Sequence, residues 1–394
     1  MQSERKIRSR WVDSRAAVDE MVEHLLKVDC VAVDTEFIRE TTFYPKVALI
    51  QVATEDKAWL VDPLRLSKEN LAGFEGVMKD PKTLKVMHAA LGDQECFFHE
   101  YGFVVSPVID TAAAAALLGY GDSVGLAKLL KIVMGLNLPK GRARVHWLDR
   151  PLAPELMQYA EEDVIHLVEL ARRMLVDLDK AGRREWALKT SQHPEEMFRE
   201  SVESVAHRVA RGSNLDAKAM GCLYELVVWR EMKARSLNRP RGWIADNSVL
   251  TSLAKSRPKS LAELSRFRGL NGKEIERSGK QILEALERGA SRKLEIESRE
   301  IPPPSQDEEL VMNLLKAFLN MLATNNRLAT RLLISSDQLL PLLRAGSQGI
   351  PSWVEQGLMT DDVARIIGVE VEAFLMGRCA IKVQNGKLAV IPEC

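Results

Sequence analysis

The stretch Val31-Ala32-Val33-Asp34-Thr35-Glu36-Phe37 constrains this chain more than any other. A short apolar run of this kind reads as a buried strand, and strand side chains alternate between the two faces of a sheet. Asp34 and Glu36 are two apart, so they emerge on the same side where the strand ends. Two carboxylates at the margin of a core repel each other and resist desolvation. Either the strand runs out into solvent and both acids are hydrated there, or a cation sits between them. All-oxygen ligands of this type suit Mg²⁺ or Mn²⁺.

The chain has 394 residues, enough for two or three domains with cores of their own. At 46% hydrophobic and 28% charged residues it has the composition of a soluble globular protein. Its formal net charge is zero, so attraction to nucleic acid must come from local asymmetry. The cysteines Cys30, Cys96, Cys222, Cys379 and Cys394 are scattered, without CxxC spacing. That pattern argues against a zinc site or a disulfide framework and for a reducing compartment. Met1 to Arg10 is basic but precedes no apolar segment, and no run approaches the length of a membrane span. The expectation is a cytoplasmic protein with no membrane contact, and a monomer.

Helical spacing is predicted over 15–28, followed by the Asp34 strand and two further strands, Val47–Ala53 and Ala58–Val61, as antiparallel neighbours. Arg39 to Pro45, with Phe43 and Tyr44, forms a polar and aromatic loop at the mouth of the presumed site. A helix over 68–79, a strand at Leu84–His88 and helices near 91–101, 110–119 and 123–134 come next. A meander that passes into alternation describes a mixed α/β sheet with helices on its faces. Asp93 falls at a strand-to-helix junction, where a first-turn acid is favoured by the helix dipole in any case. His88, five residues earlier, is either a packed strand-end histidine or a neighbour of the site.

Pro151 and Pro154 punctuate the start of a helix with an apolar stripe of Leu156, Ala160, Val164, Leu167 and Leu170. Tyr159 and Asp163 stand at i and i+4 and share one face of it, while Glu161 and Glu162 read as solvated charges. Taken together, Asp34-x-Glu36, Asp93 and Tyr159-xxx-Asp163 resemble the three exonuclease motifs of the DEDD superfamily. The tyrosine four residues before the last aspartate resembles its DEDDy branch. Asp-Thr-Glu-Phe, Tyr44-Pro45, Leu49-Ile50-Gln51 and Arg150-Pro151-Leu152 resemble the ribonuclease D family. Leu156 and Val145 depart from that family's usual glutamine and serine.

The resemblance implies a ribonuclease H-like α/β catalytic domain and phosphodiester hydrolysis assisted by two divalent ions, Mg²⁺ or Mn²⁺. Asp34 would bridge both ions, Glu36 and Asp163 would hold the one that activates water, and Asp93 would support the other. Tyr159, with an ordinary pKa of about 10, is cast as the hydroxyl that orients the attacking water. Phe37 and Tyr44 flank the site and are candidates to stack on terminal bases, with His88 as a further candidate contact.

From Arg211 to Arg299, 19 Lys or Arg stand against 11 Asp or Glu, a local surplus of eight positive charges. Helical pattern runs over 217–235, 246–256, 260–267 and 279–288, a bundle by its short connections. The run from Trp229 through Arg239-Pro240-Arg241-Gly242-Trp243 to Gly269-Leu270 resembles an HRDC domain, a nucleic-acid-binding module shared with RecQ-type helicases. On that resemblance Arg230, Lys233, Arg235, Arg239 and Arg241 are candidate phosphate contacts, and Trp243 is read as a core residue. Ile301-Pro302-Pro303-Pro304-Ser305 is a stiff spacer. Helical pattern returns at 308–323, 325–334, 336–344, 360–367 and 369–376, resembling a second, diverged HRDC-like bundle.

The sequence thus predicts an exonuclease domain over 1–205, an HRDC domain over 211–292, a Pro-rich linker over 293–307 and a second all-α bundle over 308–394. The implied activity is 3′→5′ exoribonucleolysis releasing nucleoside 5′-monophosphates, with transfer RNA precursors and other small structured RNAs as partners. Two alternatives stay open: the same chemistry on DNA, and a non-catalytic RNA-binding protein on an exonuclease scaffold.

Overall fold

Strand β1 (Ser9–Val12) precedes helix α1 (Arg15–Leu25), and the apolar run then forms β2 (Cys30–Ile38). β3 (Lys46–Ala53) and β4 (Ala58–Val61) complete the antiparallel meander that the spacing predicted. Alternation follows with α2 (Ala72–Lys79), β5 (Leu84–Met87), α3 (Leu91–Cys96) continuing into a π-helical turn at Phe97–Tyr101, β6 (Val108–Asp110), α4 (Thr111–Leu118) and α5 (Leu126–Met134). The sheet order is β1-β4-β3-β2-β5-β6, with β1 parallel to β4, and β2, β5 and β6 parallel to one another. These are features of a computed structural model that describes residues 9–138, 146–267, 269–270, 272–292 and 302–392.

β1 and β6 are short strands that periodicity does not reveal. At β6 the sequence predicts helix from residue 110, yet Asp110 is the cap: its carboxylate accepts from Ala112 N at 2.8 Å. β2 lies inside the sheet and is buried on both faces. Val31 and Val33 pack with α1, α2 and the π-helical turn, while Ala32 faces Ala114 and Ala115 of α4 across the opposite core. Small residues there let helices approach the sheet closely.

Beyond residue 146 come α6 (Pro154–Glu162), α7 (Leu167–Lys180), α8 (Arg184–Thr190) and α9 (Val202–Ala210). The single helix expected over this apolar stripe is broken at 163–166. The break divides the stripe between two cores. Ala160 packs with Leu49 and Leu60, whereas Val164, Leu167 and Leu170 join the core beneath α4. Glu161 is not a free surface charge, because its carboxylate accepts from the Ser9 amide at 2.8 Å and ties β1 to α6.

A helical bundle follows: α10 (Ala217–Ser236), α11 (Arg241–Ile244), α12 (Asn247–Ser256), α13 (Leu261–Leu264) and α14 (Gly272–Ser291). α10 and α14 cross at glycines, since a Cβ on Gly221 would stand 2.3 Å from the Gly289 carbonyl oxygen. The remaining elements are α15 (Gln306–Asn325), α16 (Ser336–Arg344), α17 (Ile350–Glu355), α18 (Asp361–Leu375), β7 (Cys379–Gln384) and β8 (Lys387–Pro392). Of the predicted linker, 293–301 lies outside the described residues; Ser305 then caps α15 through a reciprocal bond pair with Glu308. The helix expected at 325–334 is only a 3-10 turn at Thr330–Leu332, and the two expected after 360 merge into α18. The β7–β8 hairpin was not anticipated. Among the described residues, no helix is long and apolar enough to cross a membrane.

This last bundle docks directly on the α/β unit. Ala329 N donates to the Ala116 carbonyl at 2.9 Å, and Arg183 donates to the carbonyls of Leu117 and Asn326, each at 2.7 Å. Gly119, at φ +74°, closes α4 so near Arg327 that an added Cβ would stand 2.9 Å from its carbonyl oxygen. Gly119→Ala is therefore expected to cost more than the roughly 1 kcal/mol of its left-handed backbone alone. Gly102→Ala, at φ +87° with open space around it, supplies the backbone-only control. Chemical denaturation of both variants measures the difference, and equal losses would contradict close docking at this point.

Candidate active site

The pleat of β2 places Asp34 and Glu36 on one face, and the turn ending α6 brings Asp163 over them. Carboxylate oxygens of Asp34, Glu36 and Asp163 all lie within 4.8 Å of one another. Asp163 is the residue after the last turn of α6, and its amide donates to the Tyr159 carbonyl at 3.2 Å. The Tyr159 hydroxyl and the Asp163 carboxylate act on each other, Asp163 helping to raise the Tyr159 pKa, so the i, i+4 pair read from the sequence is brought together.

Asp93 approaches from α3. It is 6% exposed, and its Oδ1 accepts both from the Thr35 amide at 3.0 Å and from the Thr35 hydroxyl. It thus acts electrostatically on Asp34 and Glu36 while its orientation is held by the residue between them. The junction that presents it is held in turn by Asp110, whose carboxylate accepts from Ala89 N at 2.9 Å and Ala90 N at 3.0 Å. Ala89 has the left-handed φ of +57°, a conformation this pair of bonds stabilises.

Each acid of the cluster is driven toward its neutral form. Burial, reinforced by Asp93, Asp163 and Glu36, holds the Asp34 carboxyl well above the ordinary carboxylate range. Burial, then Asp163 and Asp93, pushes Glu36 up to about 8. Burial raises Asp93 to about 6 against the opposing Thr35 bonds, and Asp163 to about 6 against the opposing influence of the Tyr159 hydroxyl. Tyr159 is raised as well, by burial and by Asp163. A compact, all-oxygen donor set that cannot ionise comfortably alone fits a divalent cation, whose charge would reverse each of these shifts.

Other residues named from the sequence have different places. His88 bonds Thr111 Oγ1 through Nδ1 at 2.8 Å, and burial lowers its pKa. Phe37 is half-buried with its ring edge over Gly92. Tyr44 packs on His99 at 4.6 Å and on Phe43 at 4.7 Å between ring centroids. The loop carrying Tyr44 is clamped to the helical bundle. Asn238 Oδ1 accepts from Phe43 N at 3.0 Å and Tyr44 N at 3.4 Å, and the guanidinium groups of Arg235 and Arg241 lie 5.5 and 4.7 Å from the Phe43 ring centroid.

Three of the five cations read as phosphate contacts are committed elsewhere. Arg230 is 2% exposed and donates to Asn247 Oδ1 at 2.7 Å and the Ala245 carbonyl at 3.3 Å, so it is a core residue. Lys233 is held between Glu274 and Ser278. Arg241 pairs with Glu231 at 2.8 Å and Glu200 at 2.9 Å. Arg235 and Arg239 are exposed, and so is Trp243, which at 61% is not the core residue the sequence predicted.

Several supports escaped sequence reading. Thr35, Gln51 and Arg150 stand in words that carry the resemblance, but the sequence alone assigns them no role, and Asp110 reads there only as the start of a helix. Arg150 fastens the segment before α6 by donating to both Asp62 oxygens at 2.8 Å, to the Ala48 carbonyl at 2.6 Å and to the Trp147 carbonyl at 2.8 Å. Its pairing with Asp62, buried at 1% exposure, is visible only once β4 and the loop meet.

A family model described as a 3′→5′ exonuclease matches residues 9–179, and an HRDC domain model matches 219–286. The chain is 31% identical over 390 residues to ribonuclease D of Zymomonas mobilis, covering 96% of this chain and 97% of that one. It is 31% identical to ribonuclease D of Pseudomonas paraeruginosa, covering 86% of this chain and 90% of that one. Among solved structures it is similar to Escherichia coli RNase D, described as an exoribonuclease involved in structured RNA processing. That match has 25% identity and a TM-score of 0.79, and covers 94% of this chain and 99% of that one.

The carboxylate cluster implies a characteristic pH response. Acids whose pKa is raised by folding destabilise the fold as pH rises, because the folded state must release protons that the unfolded chain has already lost. The window runs from about 4, the ordinary carboxylate range, to about 8 for Glu36. Metal-free protein is expected to melt at progressively lower temperature across this window, and added Mn²⁺ to raise Tm by an increment that grows with pH. Calorimetry in chelator and in Mn²⁺ checks this, and a pH-independent increment would contradict it.

Proposed function

The chain belongs to the ribonuclease D family and is a 3′→5′ exoribonuclease, and from that premise we propose that it trims 3′ extensions of transfer RNA precursors and other small structured RNAs by two-metal hydrolysis. The products are nucleoside 5′-monophosphates. The observation that carries this reading is the joining of Asp34, Glu36 and Asp163 within reach of one ion, with Tyr159 beside the last of them.

In this reading Asp34, Glu36 and Asp163 would hold one divalent ion, Mg²⁺ or Mn²⁺, and Asp34 and Asp93 would hold a second. Such ions, when bound, lower the pKa of the attacking water and offset charge developing on the scissile phosphate. The protein's own groups do the rest. The raised pKa of Tyr159 keeps its hydroxyl protonated at neutral pH, so it directs the water by hydrogen bonding and is no general base. Thr35 fixes Asp93, and Arg150 fixes the approach to α6 on which Tyr159 stands.

The helical bundle supplies grip through Arg235, Arg239 and Trp243 rather than through Arg230. Residues 1–205 form the catalytic unit, 211–292 the HRDC unit and 308–394 a further bundle that braces the catalytic one, all acting as a single chain in the cytoplasm.

With 5′-labelled RNA bearing an unstructured 3′ tail, Mg²⁺ or Mn²⁺ is expected to yield a ladder shortening from the 3′ end. Asp34→Ala and a 3′-phosphate should each abolish it. An intact band from the parent protein in every lane would overturn the assignment of this chemistry. Arg239→Ala is expected to weaken RNA binding severalfold in gel shifts without altering Tm. Arg230→Ala should instead lower stability by about 1–3 kcal/mol, because it leaves the Ala245 carbonyl and Asn247 Oδ1 without their buried donor, while Glu231 keeps Arg241.

A further inference from the structure

Gln51 lies directly opposite Asp34 in the β2–β3 ladder and opposite Leu60 in the β3–β4 ladder. Opposed residues of an antiparallel pair share a face, with Cβ atoms about 4.5–5.5 Å apart. The Gln51 side chain therefore rises beside Asp34 on the face that α6 and α7 cover. It is 0% exposed, and neither its amide nitrogen nor its amide oxygen has a hydrogen-bond partner among the described residues.

A buried amide without partners costs about 1–3 kcal/mol for each unsatisfied group. Its same-face neighbours along the strand, Leu49 and Ala53, are apolar and fully buried, so packing alone gives no reason for glutamine. Asp93 also has a support that Asp34 lacks. It accepts from both the amide and the hydroxyl of Thr35, whereas no side-chain hydrogen bond reaches Asp34 among the described residues.

We infer that Gln51 is a positioning residue for Asp34, its amide N–H donating to the Asp34 carboxylate when that group is ionised around a divalent cation. This rests on the metal-binding reading above. The amide holds the shared ligand in one rotamer, as Thr35 holds Asp93. Supports of this kind are commonly worth about 10–100-fold in metal affinity.

The test is a Mn²⁺ titration followed by electron paramagnetic resonance, without RNA, on the parent, Gln51→Met, Gln51→Leu and Asp34→Asn. Both Gln51 variants should melt, metal-free, at or above the parent temperature, since they remove an unsatisfied amide. Their Mn²⁺ dissociation constant should rise at least about tenfold, and kcat on RNA should fall with little change in KM. Mn²⁺ affinity within twofold of the parent in a folded variant would overturn the inference. Loss of the fold in both variants would overturn it too, because the amide would then be serving the metal-free core. Asp34→Asn separates the two levels: if it binds Mn²⁺ like the parent, the metal reading itself fails. If it loses Mn²⁺ while Gln51→Met does not, only the role of Gln51 fails.

Discussion

The mutual repulsion of Asp34, Glu36, Asp93 and Asp163 is the constraint around which the α/β unit is arranged. Burial drives each toward protonation, and for Asp34 and Glu36 the neighbouring acids add to it. Such a cluster weakens a fold unless the backbone that carries it is over-determined. β2 meets that requirement by pairing with β3 on one side and β5 on the other, and by packing against apolar cores on both faces. A backbone so held can carry a carboxylate cluster whose repulsion a divalent cation would relieve.

Much of the remaining polar structure serves to aim the acids. Thr35 turns Asp93, Asp110 shapes the junction from which Asp93 projects, and Arg150 pins the segment leading into α6. Hydrogen bonds to charged groups contribute about 1.5–3 kcal/mol each, enough to fix a rotamer at a buried site. The mouth loop is secured differently, by Asn238 of the helical bundle and by two arginines over Phe43. Through that contact the bundle is coupled to the strand end that bears Glu36.

Local pattern carried far where chemistry is local. The β2 alternation, the i, i+4 spacing of Tyr159 and Asp163, and the β2–β4 meander are properties of short segments, and each has its counterpart in the fold. What depends on distant contacts was not legible. Arg230 lies in a basic stretch that reads as a phosphate-binding face, yet its partners Ala245 and Asn247 come from the next turn of chain and bury it. Trp243 is the converse, an aromatic expected inside that lies outside because Ile244 takes the inward position of α11. The apolar stripe after Pro154 has continuous helical period, and only the presence of two separate cores explains its break at 163–166.

The central claim is that the acids exist to bind divalent ions. Anomalous diffraction from crystals grown with Mn²⁺ and an RNA 3′ end tests it most directly. Two peaks about 3.5–4 Å apart are expected, one contacted by Asp34, Glu36 and Asp163, the other by Asp34 on the side of Asp93. A map with no peak at these carboxylates, under conditions in which the enzyme degrades RNA, would contradict the account.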